Sequence, residues 1–230
     1  MRRQLINYSF ILSALFFVSC NSGNKITESE QEVHYNYNSN YGTYYNAKAS
    51  NFETYEDKAN EIVFLGDSIT DWCNWSELLN NNRVINRGIG GDIIPGVLYR
   101  LKEVTRSEPE KVFIMIGTND LAGDYSVSDI KENYKRLIEE YQTQSPATEI
   151  YVQSVLPTNG DESRPNEDIR SINNHLKTMA DSMTYTYIDL HTAFLNDDDE
   201  LDMQYSYDGL HLNGKGYLVW KDIVNSYVNE

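Results

Sequence analysis

Along the chain, apolar residues fall into short unbroken runs, separated by longer stretches in which they recur every three or four positions. The runs are Ile62 to Leu65, Val84-Ile85, Val112 to Ile116, Ile150 to Val155 and Tyr185 to Leu190. Runs this short, without polar alternation, predict strands buried on both faces. Between them, Val127, Ile130, Tyr134, Leu137, Ile138 and Tyr141 share one helical face, as do Ile169, Ile172, Leu176, Met179 and Met183. Ser126 followed by Asp129 loosely matches a capping box opening the first of these helices. A last helix is expected over about Gly214 to Val228, with Trp220, Ile223, Val224, Tyr227 and Val228 turned inward. Strands alternating with helices through right-handed crossovers form a parallel sheet covered on both faces. The expected fold is therefore α/β, a three-layer α/β/α sandwich occupying residues 46–230, with no long apolar insertion to serve as a lid.

The segment before it follows a different pattern. Arg2 and Arg3 open the chain, and Phe10 to Val18 is almost wholly apolar yet shorter than the roughly 20 residues a membrane span needs, which predicts an export signal over residues 1–19. Phe17-Val18-Ser19-Cys20 resembles the lipobox of bacterial lipoproteins, in which cleavage leaves the cysteine as a lipidated amino terminus. The resemblance implies lipidation at Cys20, a membrane association through that lipid only, and a periplasmic or cell-surface location. Residues 20–45 are rich in asparagine, serine and tyrosine and poor in aliphatics, so they bury too little apolar area to offset their ordering entropy. They are expected to form a tether, although the tyrosines are equally suited to docking on the domain or on glycan.

Composition narrows the partners. Two hundred and thirty residues with 40% hydrophobic content supply one sizeable core. A formal net charge of −16 repels nucleic acid and anionic membrane surfaces, which leaves an uncharged or cationic small molecule as the better-fitting ligand. Cys20 and Cys73, with His34, His175, His191 and His211, have no metal-site spacing, so neither a metal nor another cofactor is expected. With Cys20 lipidated, Cys73 is left as a free, packed thiol.

Four segments carry candidate chemistry: Gly66-Asp67-Ser68, Asn86 to Asp92, Gly117-Thr118-Asn119-Asp120 and Tyr207 to Leu212. Alone, Gly66-Asp67-Ser68 is equally a turn with a helix cap. The first three segments each follow an expected strand, which puts them at the sheet edge where α/β proteins bind ligands. A serine hydroxyl needs a general base and that base needs an orienting acid. Ser68, His211 and Asp208 can fill these roles, because the Asp-x-x-His spacing lets one loop present both acid and base. A tetrahedral intermediate also needs oxyanion donors, for which the backbone N–H groups of Ser68 and Gly91 and the amide of Asn119 are candidates.

Together the four segments resemble the four sequence blocks of the SGNH, or GDSL, hydrolases, over roughly residues 60–228. The resemblance implies a flavodoxin-like sheet, Ser68 as nucleophile, Gly91 and Asn119 as oxyanion donors with Ser68, and Asp208 with His211 as acid and base. Ile69 stands where the GDSL motif has leucine. Within the family, Gly88 to Asp92 followed by Val97 to Leu101 is similar to catalytic subunits of platelet-activating factor acetylhydrolase and to bacterial carbohydrate acetylesterases. No Gly-x-Ser-x-Gly elbow is present, so the α/β-hydrolase fold is not the comparison.

Trp72 and Trp75 are read as core residues before sugar platforms, Arg87 as solvated, His191 as structural and the run Asn196 to Glu200 as a solvated loop. The expected function is that of an exported serine esterase removing short acyl groups, acetyl first among them, from a carbohydrate. The alternatives are a lysophospholipid or thioester hydrolase, or a glycan-binding lipoprotein without turnover. Oligomeric state is not legible.

Overall fold

The computed structural model describes residues 38–123 and 125–230. The expected signal at 1–19, Cys20 and the tether as far as residue 37 lie outside the described residues. Strands β1 (Ile62–Gly66), β2 (Val84–Gly88), β3 (Lys111–Met115), β4 (Glu149–Gln153) and β5 (Thr186–Ile188) form one parallel sheet in the order β2-β1-β3-β4-β5. This is the flavodoxin-like order, whose direction reverses between β1 and β3. Helices α1 (Thr43–Glu53), α2 (Ser68–Asp71), α3 (Trp75–Leu78), α4 (Ile94–Tyr99), α5 (Leu101–Thr105), α6 (Thr118–Ala122), α7 (Val127–Gln144), α8 (Asn166–Met179) and α9 (Gly214–Asn229) surround it, with a 3-10 turn at His191–Phe194.

The continuous apolar runs have a direct cause: every residue of β1 and β3 is buried. Alternate residues serve opposite layers. Val63, Leu65, Val112 and Ile114 pack with Ile130, Leu137 and Ile138 of α7 and Ile169 and Ile172 of α8. On the other face, Ile62, Phe64, Phe113 and Met115 pack with Trp75 of α3 and Trp220 and Val224 of α9. Phe64, Phe113 and Tyr151 lie in register across three strands, with ring centroids 4.8 Å and 4.6 Å apart. Trp75 stacks on Phe64 at 4.1 Å and meets Trp220 edge-on at 4.7 Å. The Trp220 indole donates to Gln153 Oε1 at 2.7 Å, satisfying its one buried polar group. The capping box forms as expected: the Asp129 N–H donates to Ser126 Oγ at 3.1 Å and the Ser126 N–H to Asp129 Oδ2 at 3.2 Å.

Four expectations need correction. The folded region begins before residue 46, because Tyr45, Ala49 and Phe52 of α1 are buried against Ile89. Tyr41 stacks on Tyr45 at 4.3 Å, and the Tyr45 hydroxyl donates to the Gly96 carbonyl at 2.6 Å. The end of the presumed tether thus docks on the domain, since its tyrosines carry enough apolar area to replace the missing aliphatics. Arg87 is buried rather than solvated, with Nε 2.6 Å from Glu103 Oε1 and its guanidinium over the Phe52 ring at 4.9 Å. The strand expected at Val84-Ile85 continues through Asn86 and Arg87 to Gly88, because β2 is an edge strand that tolerates polar side chains. Of the two tryptophans read as core, Trp75 is, whereas Trp72 is 60% exposed.

Tyr45→Ala is expected to lower the unfolding free energy by about 3 kcal/mol, the usual result of truncating a buried aromatic. Urea denaturation of the chain checks this, and an unchanged midpoint would return residues 38–45 to the tether.

Candidate active site

The edge of the sheet is built first by backbone proximity. Gly66 pairs with Gly88 on one side and Met115 on the other, so β1, β2 and β3 end level. A Cβ at Gly66 would lie 2.3 Å from the Met115 carbonyl oxygen and 2.3 Å from Thr70 Oγ1, which only glycine avoids. Closeness demands the glycine here, rather than the sharp turn its position suggests, since its φ is not positive. Asp67 then caps α2, with Oδ1 accepting from the Ile69 N–H at 2.9 Å. Asn86 holds the same turn from β2, its amide donating to the Cys73 and Thr70 carbonyls at 2.9 Å and 3.0 Å. Ser68 opens α2 and is 8% exposed.

The loop before α9 brings the partners. His211 Nε2 lies 2.9 Å from Ser68 Oγ, and His211 Nδ1 lies 2.7 Å from Asp208 Oδ2. The other carboxylate oxygen accepts from the backbone N–H groups of His211 at 2.8 Å and Leu210 at 3.0 Å. Burial acts to raise the Asp208 carboxyl, but hydrogen bonds from the His211 ring, the His211 N–H and the Leu210 N–H outweigh it and hold the group well below its ordinary range. An ionised Asp208 accepts the hydrogen bond of Nδ1–H and so keeps the proton on that nitrogen, which leaves Nε2 as acceptor for the serine hydroxyl. All three residues selected from the sequence therefore meet at hydrogen-bond distance.

Gly91 and Asn119 lie on the turns after β2 and β3. Gly91 has φ +78°, the left-handed region that glycine enters without strain. Asn119 is the second residue of α6; its Nδ2 donates to the Asp92 carbonyl at 3.0 Å and its Oδ1 accepts from Arg164 Nη2 at 3.2 Å. Such a set can activate a hydroxyl, attack an acyl carbon and stabilise negative charge on the carbonyl oxygen. Among the described residues no group of three or more His, Cys, Asp or Glu is arranged to hold a metal ion.

Residues 64–219 match the sequence profile of the GDSL-like Lipase/Acylhydrolase family. The chain belongs to this family. It is thus a hydrolase of the esterase class. Platelet-activating factor acetylhydrolase IB subunit alpha2 of Rattus norvegicus is 27% identical over 170 residues, covering 70% of this chain and 73% of that one. A solved structure from Streptococcus pneumonia, named as a platelet activating factor, matches with TM-score 0.72 at 27% identity over 80% of this chain and 90% of that chain. A catalytic mutant of an acetylxylan esterase from Geobacillus stearothermophilus shares the fold, with TM-score 0.62 at 18% identity over 75% and 95% of the two chains.

Several residues around this site were given another role, or none, in the sequence reading. Trp72 stacks on the His211 ring, centroids 4.0 Å apart and planes 13° from parallel. Its place directly after the nucleophile turn, without a helical or strand period around it, was the available signal. From α1, the Tyr44 hydroxyl and Lys48 Nζ bind Asp71 at 2.6 Å and 2.7 Å, tying the end of α2 to a helix whose first three residues were read as tether. Arg164, in the loop between β4 and α8, contacts Asn119 and has no sequence pattern that singles it out. His191 is buried, its N–H donating to Ser154 Oγ at 2.8 Å and burial pushing its ring below the ordinary value.

Three buried carboxyls underlie the site. Asp92 faces Arg100 at 3.0 Å, whereas Asp67 and Asp120 accept from the backbone N–H groups of Ile69 and Ile94. Burial pushes Asp67 up to about 7 and Asp120 up to about 7. Unfolded, these carboxyls release their protons near 3.8. Between the two values the folded chain binds more protons, so stability falls as pH rises from the unfolded value through about 7. Thermal unfolding of Asp67→Asn, which keeps the acceptor for the Ile69 N–H, is expected to show a smaller drop in melting temperature from pH 5 to pH 8 than the parent chain. Parallel curves would mean that Asp67 is ionised throughout this range.

Proposed function

We propose that the protein is a serine esterase that removes short acyl groups, acetyl above all, from a carbohydrate through an acyl-enzyme. The observation that carries the reading is the continuous chain from Ser68 Oγ to His211 Nε2 at 2.9 Å and from His211 Nδ1 to Asp208 at 2.7 Å. His211 takes the hydroxyl proton as Ser68 attacks the ester carbon. The oxyanion is met by the N–H groups of Ser68 and Gly91 and the free N–H of Asn119. The imidazolium returns the proton to the departing alcohol, leaving acyl-Ser68. Water, deprotonated by His211, then attacks the acyl carbon; the carboxylic acid leaves and the serine regains its proton.

The acetyl preference is supported by the names of relatives, an acetylhydrolase and an acetylxylan esterase. The carbohydrate preference is supported by exposed aromatic side chains: Trp72 against His211 at 60%, Tyr207 in the His211 loop at 88% and Tyr44 of α1, bound to Asp71, at 55%. Aromatic faces present flat apolar area to which the C–H surface of a sugar ring is complementary. Export and lipidation at Cys20 belong to the same proposal, which places the enzyme where glycans are met.

A fluorophosphonate probe is expected to label the purified domain at Ser68 and to leave Ser68→Ala unlabelled. No labelling of the parent chain would favour a binding protein without turnover. Across p-nitrophenyl esters from acetyl to octanoyl, kcat/KM is expected to be highest for acetyl; a rise with chain length would favour a lysophospholipid substrate. Cys20→Ser is expected to move the expressed protein from the membrane fraction to the soluble one, and retention in the membrane would refute the lipid anchor.

A further inference from the structure

An asparagine serves an oxyanion only if its amide faces the right way. At Asn119 the two neighbours decide this. Nδ2 donates one hydrogen to the Asp92 carbonyl at 3.0 Å, and Oδ1 accepts from Arg164 Nη2 at 3.2 Å. Turned over, the amide oxygen would face a carbonyl and the NH2 group would face a guanidinium, two like-with-like contacts at once. The observed orientation leaves the second Nδ2 hydrogen for a ligand.

Arg164 is itself held in place. Its Nε donates to the Thr118 carbonyl at 3.1 Å, so one guanidinium spans two consecutive residues at the start of α6. Its Nη1 is paired with Asp161 Oδ2 at 2.5 Å, and the side chain is 15% exposed. A hydrogen bond from a cation to an amide oxygen draws electron density from the nitrogen and makes its remaining N–H a stronger donor. The positive charge is also felt at Asp67, beside the serine.

We propose that Arg164 is a positioning residue of the oxyanion site, fixing and polarising the Asn119 amide that faces the developing negative charge. The proposal rests on the esterase reading. Its test is a double-mutant cycle on p-nitrophenyl acetate with Arg164→Met, Asn119→Ala and the pair, with melting temperatures measured alongside. Asn119→Ala alone is expected to lose about 10²-fold in kcat. Arg164→Met is expected to lose about tenfold in kcat with KM within about twofold, but less than about twofold further when Asn119 is already alanine. Losses that multiply in the double variant, or a loss confined to KM, would overturn the role. Should Arg164→Met not fold, the same cycle with Arg164→Lys decides: the lysine keeps the charge without the two-point bridge and is expected to lose about threefold in kcat alone and nothing further when Asn119 is already alanine, whereas equal losses in both backgrounds would overturn the role. A parent chain without turnover or Ser68 labelling would fail the esterase reading, and this proposal with it.

Discussion

Three parallel strands ending at one level is the constraint from which the site follows. Gly66 pairs with Gly88 and Met115, and the chain leaves each strand toward the same crevice. The register is strong because β1 and β3 are buried on both faces, so a slip by one residue would exchange the residues facing α7 and α8 with those facing α3 and α9. Phe64 and Phe113 would then stand where Val63 and Val112 now fit. The packing of two faces thus fixes the level at which the turns that carry Ser68, Gly91 and Asn119 begin.

The electrostatics of the site run against those of the chain. A protein of net charge −16 places Arg87 and Arg100 in its interior, each paired with a buried carboxylate. Arg100 also donates to the Arg87 carbonyl at 2.8 Å, so it binds the last turn of β2 to the Asp92 turn that carries Gly91. A cation with several fixed donors holds backbone where a lysine would hold one point. Asp92 links this arginine to the oxyanion side, because its own carbonyl receives Asn119. Structural pairing and the candidate chemistry share residues here, so neither can be altered alone.

The strands and the meeting of Ser68, Asp208 and His211 were legible because each rests on local pattern: a buried run, a turn at its end, or a spacing within one loop; the strand order came with the family resemblance. The helix at Tyr45, Ala49 and Phe52 has apolar residues at helical intervals but only weakly hydrophobic ones between asparagines, so composition concealed it. Arg87 was misread because its partner Glu103 comes from another element, and its burial depends on α1 covering β2. Arg164 was invisible for the same reason: what it touches is decided by the fold of a loop and not by its neighbours in sequence.

Trp72 shows how the fold resolves a problem that the loop of His211 creates. Presenting Asp208 and His211 from one short loop leaves the imidazole dependent on other elements for its cover; the Asp208 side chain is 50% exposed and that of His211 18%. Hydrogen bonds at Nδ1 and Nε2 fix two corners of the ring but permit rotation about the line that joins them. The indole at 4.0 Å supplies the missing restraint, because a near-parallel stack sets the plane as well as the edge. It also offers its negative π-face to the ring when the ring becomes charged, an attraction of about 0.5–1 kcal/mol at an exposed position. Trp72 thus covers one face of the His211 ring while staying 60% exposed itself, which leaves the indole face turned away from His211 open to a ligand.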